Sequence, residues 1–242
     1  MKKLLILLFA ISNMAIAQVL PDYEKEARWA EEIEDAILDG DPVWLSTDNH
    51  EFFSIFTLDE EEGSEAAIIV HGTGIHPDWT QVIQPLRVGL TENGFNTLSI
   101  QMPVLANDMH GADYIPLFPN SDSRIVSAIN YLKAQGLNPT TLIGHSLGTV
   151  MSAHFLANNE HTFTRFVAVG MGENAVKFLP EIDIAVFDLY GDSDLSSVLE
   201  SVKDRLNASK NNKAYFQKMV NSDHFFNDKD ELLISEVSEW LK

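Results

Sequence analysis

Apolar and polar positions along this chain fall into two alternating spacings. Residues 22–39 are acidic, with Ala27, Trp29, Ala30, Ile33, Ala36, Ile37 and Leu38 forming an apolar stripe at helical spacing and Gly40 as a stop. Val43-Trp44-Leu45 and Phe52-Phe53-Ser54-Ile55-Phe56 predict two strands around a polar turn. A charged loop, Asp59-Glu60-Glu61-Glu62-Gly63, breaks the pattern. Ala66-Ala67-Ile68-Ile69-Val70 is then continuously apolar, as in a strand buried on both faces. Trp79 to Leu90 predicts a helix, and Thr97-Leu98-Ser99-Ile100 a strand. Ser121-Asp122-Ser123 predicts the cap of a helix carrying Ile125, Ala128, Ile129 and Leu132, with Gly136 at its end.

The alternation continues to the C-terminus. Thr140 to Ile143 predicts a strand, and Thr149 to Ala157 a helix ending near Asn158-Asn159. Arg165 to Val169 and Ile184 to Leu189 predict two more strands, Leu195 to Leu206 a helix, Ala214 to Val220 a strand and Leu232 to Leu241 a last helix. Strands alternating with helices imply an α/β domain whose mostly parallel sheet is covered on both faces. No repeat or linker divides it. The longest irregular stretch, 102–120, carries Met102, Leu105, Met109, Tyr114, Ile115, Leu117 and Phe118. Two expectations follow: a minimal cap roofing a site, or a simple cover for the core.

The first seventeen residues form a different unit. Lys2 and Lys3 precede the apolar run Leu4 to Ile11, and Ala15-Ile16-Ala17 forms an A-x-A cleavage site. This predicts a signal peptide over 1–17, export to the periplasm or beyond, no membrane span in the mature form, and a single domain over 18–242. The formal charge of −20 argues against a nucleic-acid partner and against docking on anionic lipid. Without the two leader lysines the mature chain is more acidic still. The absence of cysteine excludes disulfides, thiolate metal sites and a cysteine nucleophile.

Candidate chemistry centres on Gly144-His145-Ser146-Leu147-Gly148. Gly-x-Ser-x-Gly between a strand and a helix is the pattern of a nucleophile elbow. The turn is so tight that a side chain two positions either side of the serine would strike neighbouring backbone. A serine needs a base and a carboxylate to orient that base. In the chain order Ser, Asp, His, the only histidine after His161 is His224, in a loop between the last strand and the last helix. Gly191-Asp192-Ser193-Asp194 offers the acid; the Gly-x-x-Asp spacing favours Asp194, with Asp192 as the alternative. Two backbone N–H groups should face the developing oxyanion. These are expected at Leu147, after the nucleophile, and at Thr73 in His71-Gly72-Thr73-Gly74. His71 and His76 are five apart in a glycine-rich loop without a carboxylate cluster, so neither a metal nor a cofactor is expected.

With these residues in place, the chain resembles the α/β-hydrolase superfamily over 43–242. More closely, three runs resemble a family of uncharacterised exported bacterial proteins of that fold. They are His71-Gly72-Thr73-Gly74-Ile75-His76-Pro77-Asp78-Trp79, Pro85-Leu86-Arg87 and Thr97-Leu98-Ser99-Ile100-Gln101-Met102-Pro103. The resemblance implies the fold, export and a serine-hydrolase ancestry, and leaves the substrate open. Asp78 and Gln101 have no part in a generic triad; they are expected either to rim the pocket or to fix loops. The combined expectation is an exported Ser146–His224–Asp194 hydrolase cleaving a small-molecule ester, thioester or amide, with a non-catalytic binding or assembly protein on the same scaffold as its rival.

Overall fold

The structure is a computed structural model in which residues 19–59 and 63–242 are described. The leader expected at 1–17 lies outside the described residues. Eight strands form one sheet: β1 (Asp41–Ser46), β2 (Glu51–Thr57), β3 (Glu65–Val70), β4 (Asn96–Ile100), β5 (Asn138–His145), β6 (Arg165–Val169), β7 (Ala185–Ser193) and β8 (Tyr215–Asp223). Their order across the sheet is β1-β2-β4-β3-β5-β6-β7-β8. β4 through β8 in that order are mutually parallel, and the β1–β2 hairpin adds an antiparallel edge. No helix among the described residues is long and apolar enough to cross a membrane.

Period-two alternation divides each central strand between two cores. From β3, Ala66, Ile68 and Val70 enter one apolar cluster, while Ala67 and Ile69 enter the other. The first cluster is closed by α3 (Phe118–Ala134) and α4 (Leu147–Asn158), the second by α2 (Ile83–Gly89) and α7 (Asp230–Leu241). The helix α1 (Tyr23–Glu34) covers the hairpin, where Ala30, Ile33 and Ile37 pack on Phe53 and Ile55.

Several helix boundaries differ from the pattern. α1 stops at Glu34, well before Gly40, and leaves Leu38 exposed. α2 begins at Ile83 rather than Trp79. Pro85 accounts for this: a helix from Trp79 would need its missing N–H, whereas a start at Ile83 puts proline in the first turn, where no partner is due. α3 begins at Phe118, so Ser121 is not a cap but a buried interior residue whose hydroxyl donates to the Leu117 carbonyl. Pro119 sits in the opening turn, and a 3-10 segment, Gly111–Leu117, runs directly into it. The expected helix 195–206 is two: α5 (Ser196–Glu200) and α6 (Val202–Ala208). They part at Ser201, whose hydroxyl donates to Ser197 O and accepts from the buried Arg205. Arg205 in turn pairs with the buried Asp188 at 2.7 Å.

The segment 102–120 mainly covers the core. Met102, Leu105, Tyr114, Leu117 and Phe118 belong to the first apolar cluster. Met109 and Ile115 are exposed, and Gly111 is the residue of this stretch that lines the cleft described next.

Candidate active site

The carboxyl edge of the sheet gathers the candidate residues through strand register. The chain leaves β3 towards β4 and leaves β5 towards β6, on opposite sides, so a crevice opens between these strand ends. Val70 pairs with Gly144, which sets the loop His71-Gly72-Thr73 beside His145-Ser146. Further along, Ser193 at the end of β7 pairs with Asp223 at the end of β8, so the residues just past these ends, Asp194 and His224, emerge as neighbours.

Ser146 occupies a backbone conformation that non-glycine residues rarely adopt, φ 55° and ψ −123°. The flanking glycines permit it. A Cβ on Gly148 would lie 2.2 Å from the Val70 carbonyl oxygen and 2.7 Å from that of His71. A Cβ on Gly144 would lie 2.8 Å from the Gly148 backbone. The Ser146 amide donates to Val169 O at 2.9 Å, tying the turn to β6.

His224 is buried, and its Nδ1–H donates to Asp194 Oδ1 at 2.6 Å. With that proton committed, Nε2 is left as the basic nitrogen. Asp194 is buried and oriented by the Leu195 amide at 2.7 Å and the Gly191 amide at 3.2 Å. Asp192, the alternative acid, is exposed and accepts from Asn221 instead. The His224 ring rests against Gly170, where a Cβ would come within 2.8 Å of its Cε1.

Ser146, His224, Thr73 and Leu147 line one cleft of about 200 Å³. Leu147, Val150, Leu195 and Val198 supply its apolar wall, and Glu173 and Asn174 a polar one. Leu147 is the first residue of α4, where amides have no partner within the helix. Among the described residues, the Thr73 amide donates to no backbone carbonyl. No hydrogen bond joins Ser146 Oγ to His224 in this structure; the two groups share the cleft. In unliganded sites such bonds are often long and tighten with substrate.

Two buried histidines that sequence reasoning left without a role support the site. His145 Nε2 donates to the His224 carbonyl at 3.0 Å and holds the His224 loop against the turn at Ser146. His71 Nδ1 donates to Gly72 O at 2.9 Å, while its Nε2 accepts from the Met102 amide at 2.8 Å and lies 2.9 Å from Gln101 Nε2. Both ring nitrogens are thus engaged inside the protein. Gln101 fixes a loop rather than rimming the cleft. Asp78 does the same, pairing with the buried Arg87 at 2.6 Å. Arg124 donates to Gln101 O at 2.9 Å and to Glu26 at 2.9 Å, so α1 and α3 clamp the segment that reaches His71. Glu26 and Arg124 left a faint sequence signal, as charges beside the apolar positions of two amphipathic helices.

Burial holds His71 down to about 3 and His145 to about 4, the latter helped by the nearby His224. Both lie below the ordinary value of 6.5, so the fold keeps these rings neutral while the unfolded chain protonates them. Their stabilising effect is complete above pH 6.5 and is lost as pH falls towards 4 and then 3. At pH 5 each should cost about 2 kcal/mol relative to pH 7. Urea titrations at the two pH values should show it. A His145→Gln chain should lose less stability over that interval than wild type, by about one histidine's share.

This strand order, with Ser146 on the turn after β5 and His224 after β8, is the α/β-hydrolase fold. A family model described as "Protein of unknown function (DUF3530)" matches residues 10–112. That stretch includes the His71 loop and ends before Ser146, Asp194 and His224. No curated protein matches the sequence. Among solved structures, an esterase from Pyrococcus furiosus is similar at 14% identity, over 86% of this chain and 94% of its own, with a TM-score of 0.68. An alpha-beta serine hydrolase homologue from Coxiella burnetii is similar at 16% identity, over 85% and 99%, with a TM-score of 0.68. A dienelactone hydrolase from Anabaena variabilis is similar at 18% identity, over 84% and 96%, with a TM-score of 0.67. At such identities the likeness is one of fold.

Proposed function

We propose that the chain is an exported serine hydrolase that cleaves a small ester, thioester or amide. Ser146 attacks the carbonyl carbon while His224 Nε2 takes the hydroxyl proton. Asp194 holds the imidazole in the required tautomer and stabilises its protonated form. The Thr73 and Leu147 amides stabilise the oxyanion, each worth about 3–4 kcal/mol in the transition state. His224 returns the proton to the leaving group, which departs and leaves an acyl-Ser146. Water, activated by the same imidazole, then releases the acid. Export is supported by the leader pattern of residues 1–17 alone.

The observation that carries this is the 2.6 Å bond from His224 to Asp194, at a cleft that Ser146 also lines from a strained turn. Strained residues persist where the surroundings hold them, and they cluster at working sites. A second function class, a binding protein on the same scaffold, draws on the missing bond between Ser146 and His224. A fluorophosphonate probe separates the two. Covalent labelling that disappears in Ser146→Ala supports the hydrolase. Folded wild-type protein that takes no label supports the binding protein.

A further inference from the structure

We propose, resting on the hydrolase function just described, that the cleft selects substrates bearing a positive charge and that the Glu173 carboxylate recognises that charge. Glu173 opens the 3-10 turn Glu173–Ala175 immediately beyond β6, on the wall that continues from Gly170 and Gly172. It is exposed at the mouth and has no ion-pair partner among the described residues. Glu173 and His224 are the ionisable side chains on the cleft wall, and no lysine or arginine lines it. Lys177, the nearest cation along the chain, lies over the Phe178 ring at 4.8 Å and is not part of the lining.

Around Glu173 the lining combines the apolar Leu147, Val150, Leu195 and Val198 with the uncharged polar Thr73, Ser146, Asn174 and Ser197, so Glu173 is the carboxylate of the cleft. The cleft, at about 200 Å³, is smaller than the roughly 300–1,000 Å³ of drug-sized sites. A substrate that reaches Ser146 from this cleft meets the same lining, Glu173 included. The chain's formal charge of −20 adds a long-range field that draws cations and repels anions. The substrate class is thus a compact acyl ester, thioester or amide with an ammonium or similar cation near the scissile bond.

Matched isosteres test this. Acetylthiocholine and neohexyl thioacetate differ only in nitrogen for carbon, with the charge on the leaving group. The S-methyl thioesters of betaine and of tert-butylacetic acid put the same change on the acyl group. For each pair, the ratio of kcat/KM for the cationic to the neutral member is measured in wild type, Glu173→Gln and Glu173→Lys. Comparing ratios between variants cancels the intrinsic reactivity of the compounds. The ratio for at least one pair should fall about five- to tenfold in Glu173→Gln, and further in Glu173→Lys. Ratios that stay within about twofold for both pairs in both variants would overturn the charge selection and leave the hydrolase function intact. A wild-type protein that hydrolyses none of the four compounds, and takes no fluorophosphonate label, would remove the hydrolase function and this inference together.

Discussion

Ser146→Ala should abolish hydrolysis, lowering kcat on the order of 10⁴-fold or more on any ester the wild type accepts. The loss should fall on kcat rather than KM, because in the proposed mechanism the hydroxyl contributes to the transition state and not to ground-state binding. Residual rate above water would come from the Thr73 and Leu147 amides and from positioning in the cleft. The fold should be retained, since the substitution removes one oxygen and leaves the backbone as it was. A companion variant separates chemistry from strain. Ser146→Gly relieves a φ of 55°, so it should be equally inactive yet more stable, by about 1 kcal/mol. Steady-state kinetics with thermal denaturation measure both. A Ser146→Ala protein with near wild-type kcat would end the mechanism.

Gly148→Ala should be strongly destabilising for the addition of a single methyl group. The added carbon would lie 2.2 Å from one backbone carbonyl oxygen and 2.7 Å from a second, at the end of β3 and the start of its loop. Backbone on both sides leaves no flexible side chain to move away. α4 must lift from the sheet, carrying Ser146 away from Thr73. Overpacking of this kind costs about 3 kcal/mol or more. For a domain of this size that lowers Tm by on the order of 10 °C. Activity should fall with stability, because the same displacement separates the Thr73 and Leu147 amides of the proposed oxyanion site. Gly111→Ala provides the contrast: its Cβ would meet nothing within 4 Å, so its Tm should match wild type. Differential scanning calorimetry of the two variants checks the pair. Equal melting temperatures would mean that the elbow tolerates the methyl group.

Much of this architecture was legible as pattern. β3 announced itself by five consecutive apolar residues, and β6 by a run that matches the observed strand residue for residue. Helix ends were harder to read. The stripe from Ala27 to Leu38 outlasts α1, because Ile37 packs on the hairpin without being helical. Pro85 and Pro119 each moved a helix start, in opposite directions, by the same rule about the first turn. For segment 102–120 the pattern left a roof and a core cover equally open, and most of its apolar residues fill the core beneath α3.

Local spacing by itself determined the elbow and the identity of the candidate serine, histidine and acids. The reason is that a tight turn constrains its own neighbours, and glycine at both flanks records that constraint in the one-dimensional string. Tertiary structure decided everything that depends on two strands ending side by side. Whether His224 bonds to Asp194 or Asp192 follows from the pairing of Ser193 with Asp223, a contact thirty residues apart that leaves no periodicity. The burial of His71 and His145, the clamp from Glu26 through Arg124 to Gln101, and the unpaired carboxylate at the cleft mouth are of the same kind. Each is a relation between distant segments, set by register and desolvation rather than by any residue's immediate neighbours.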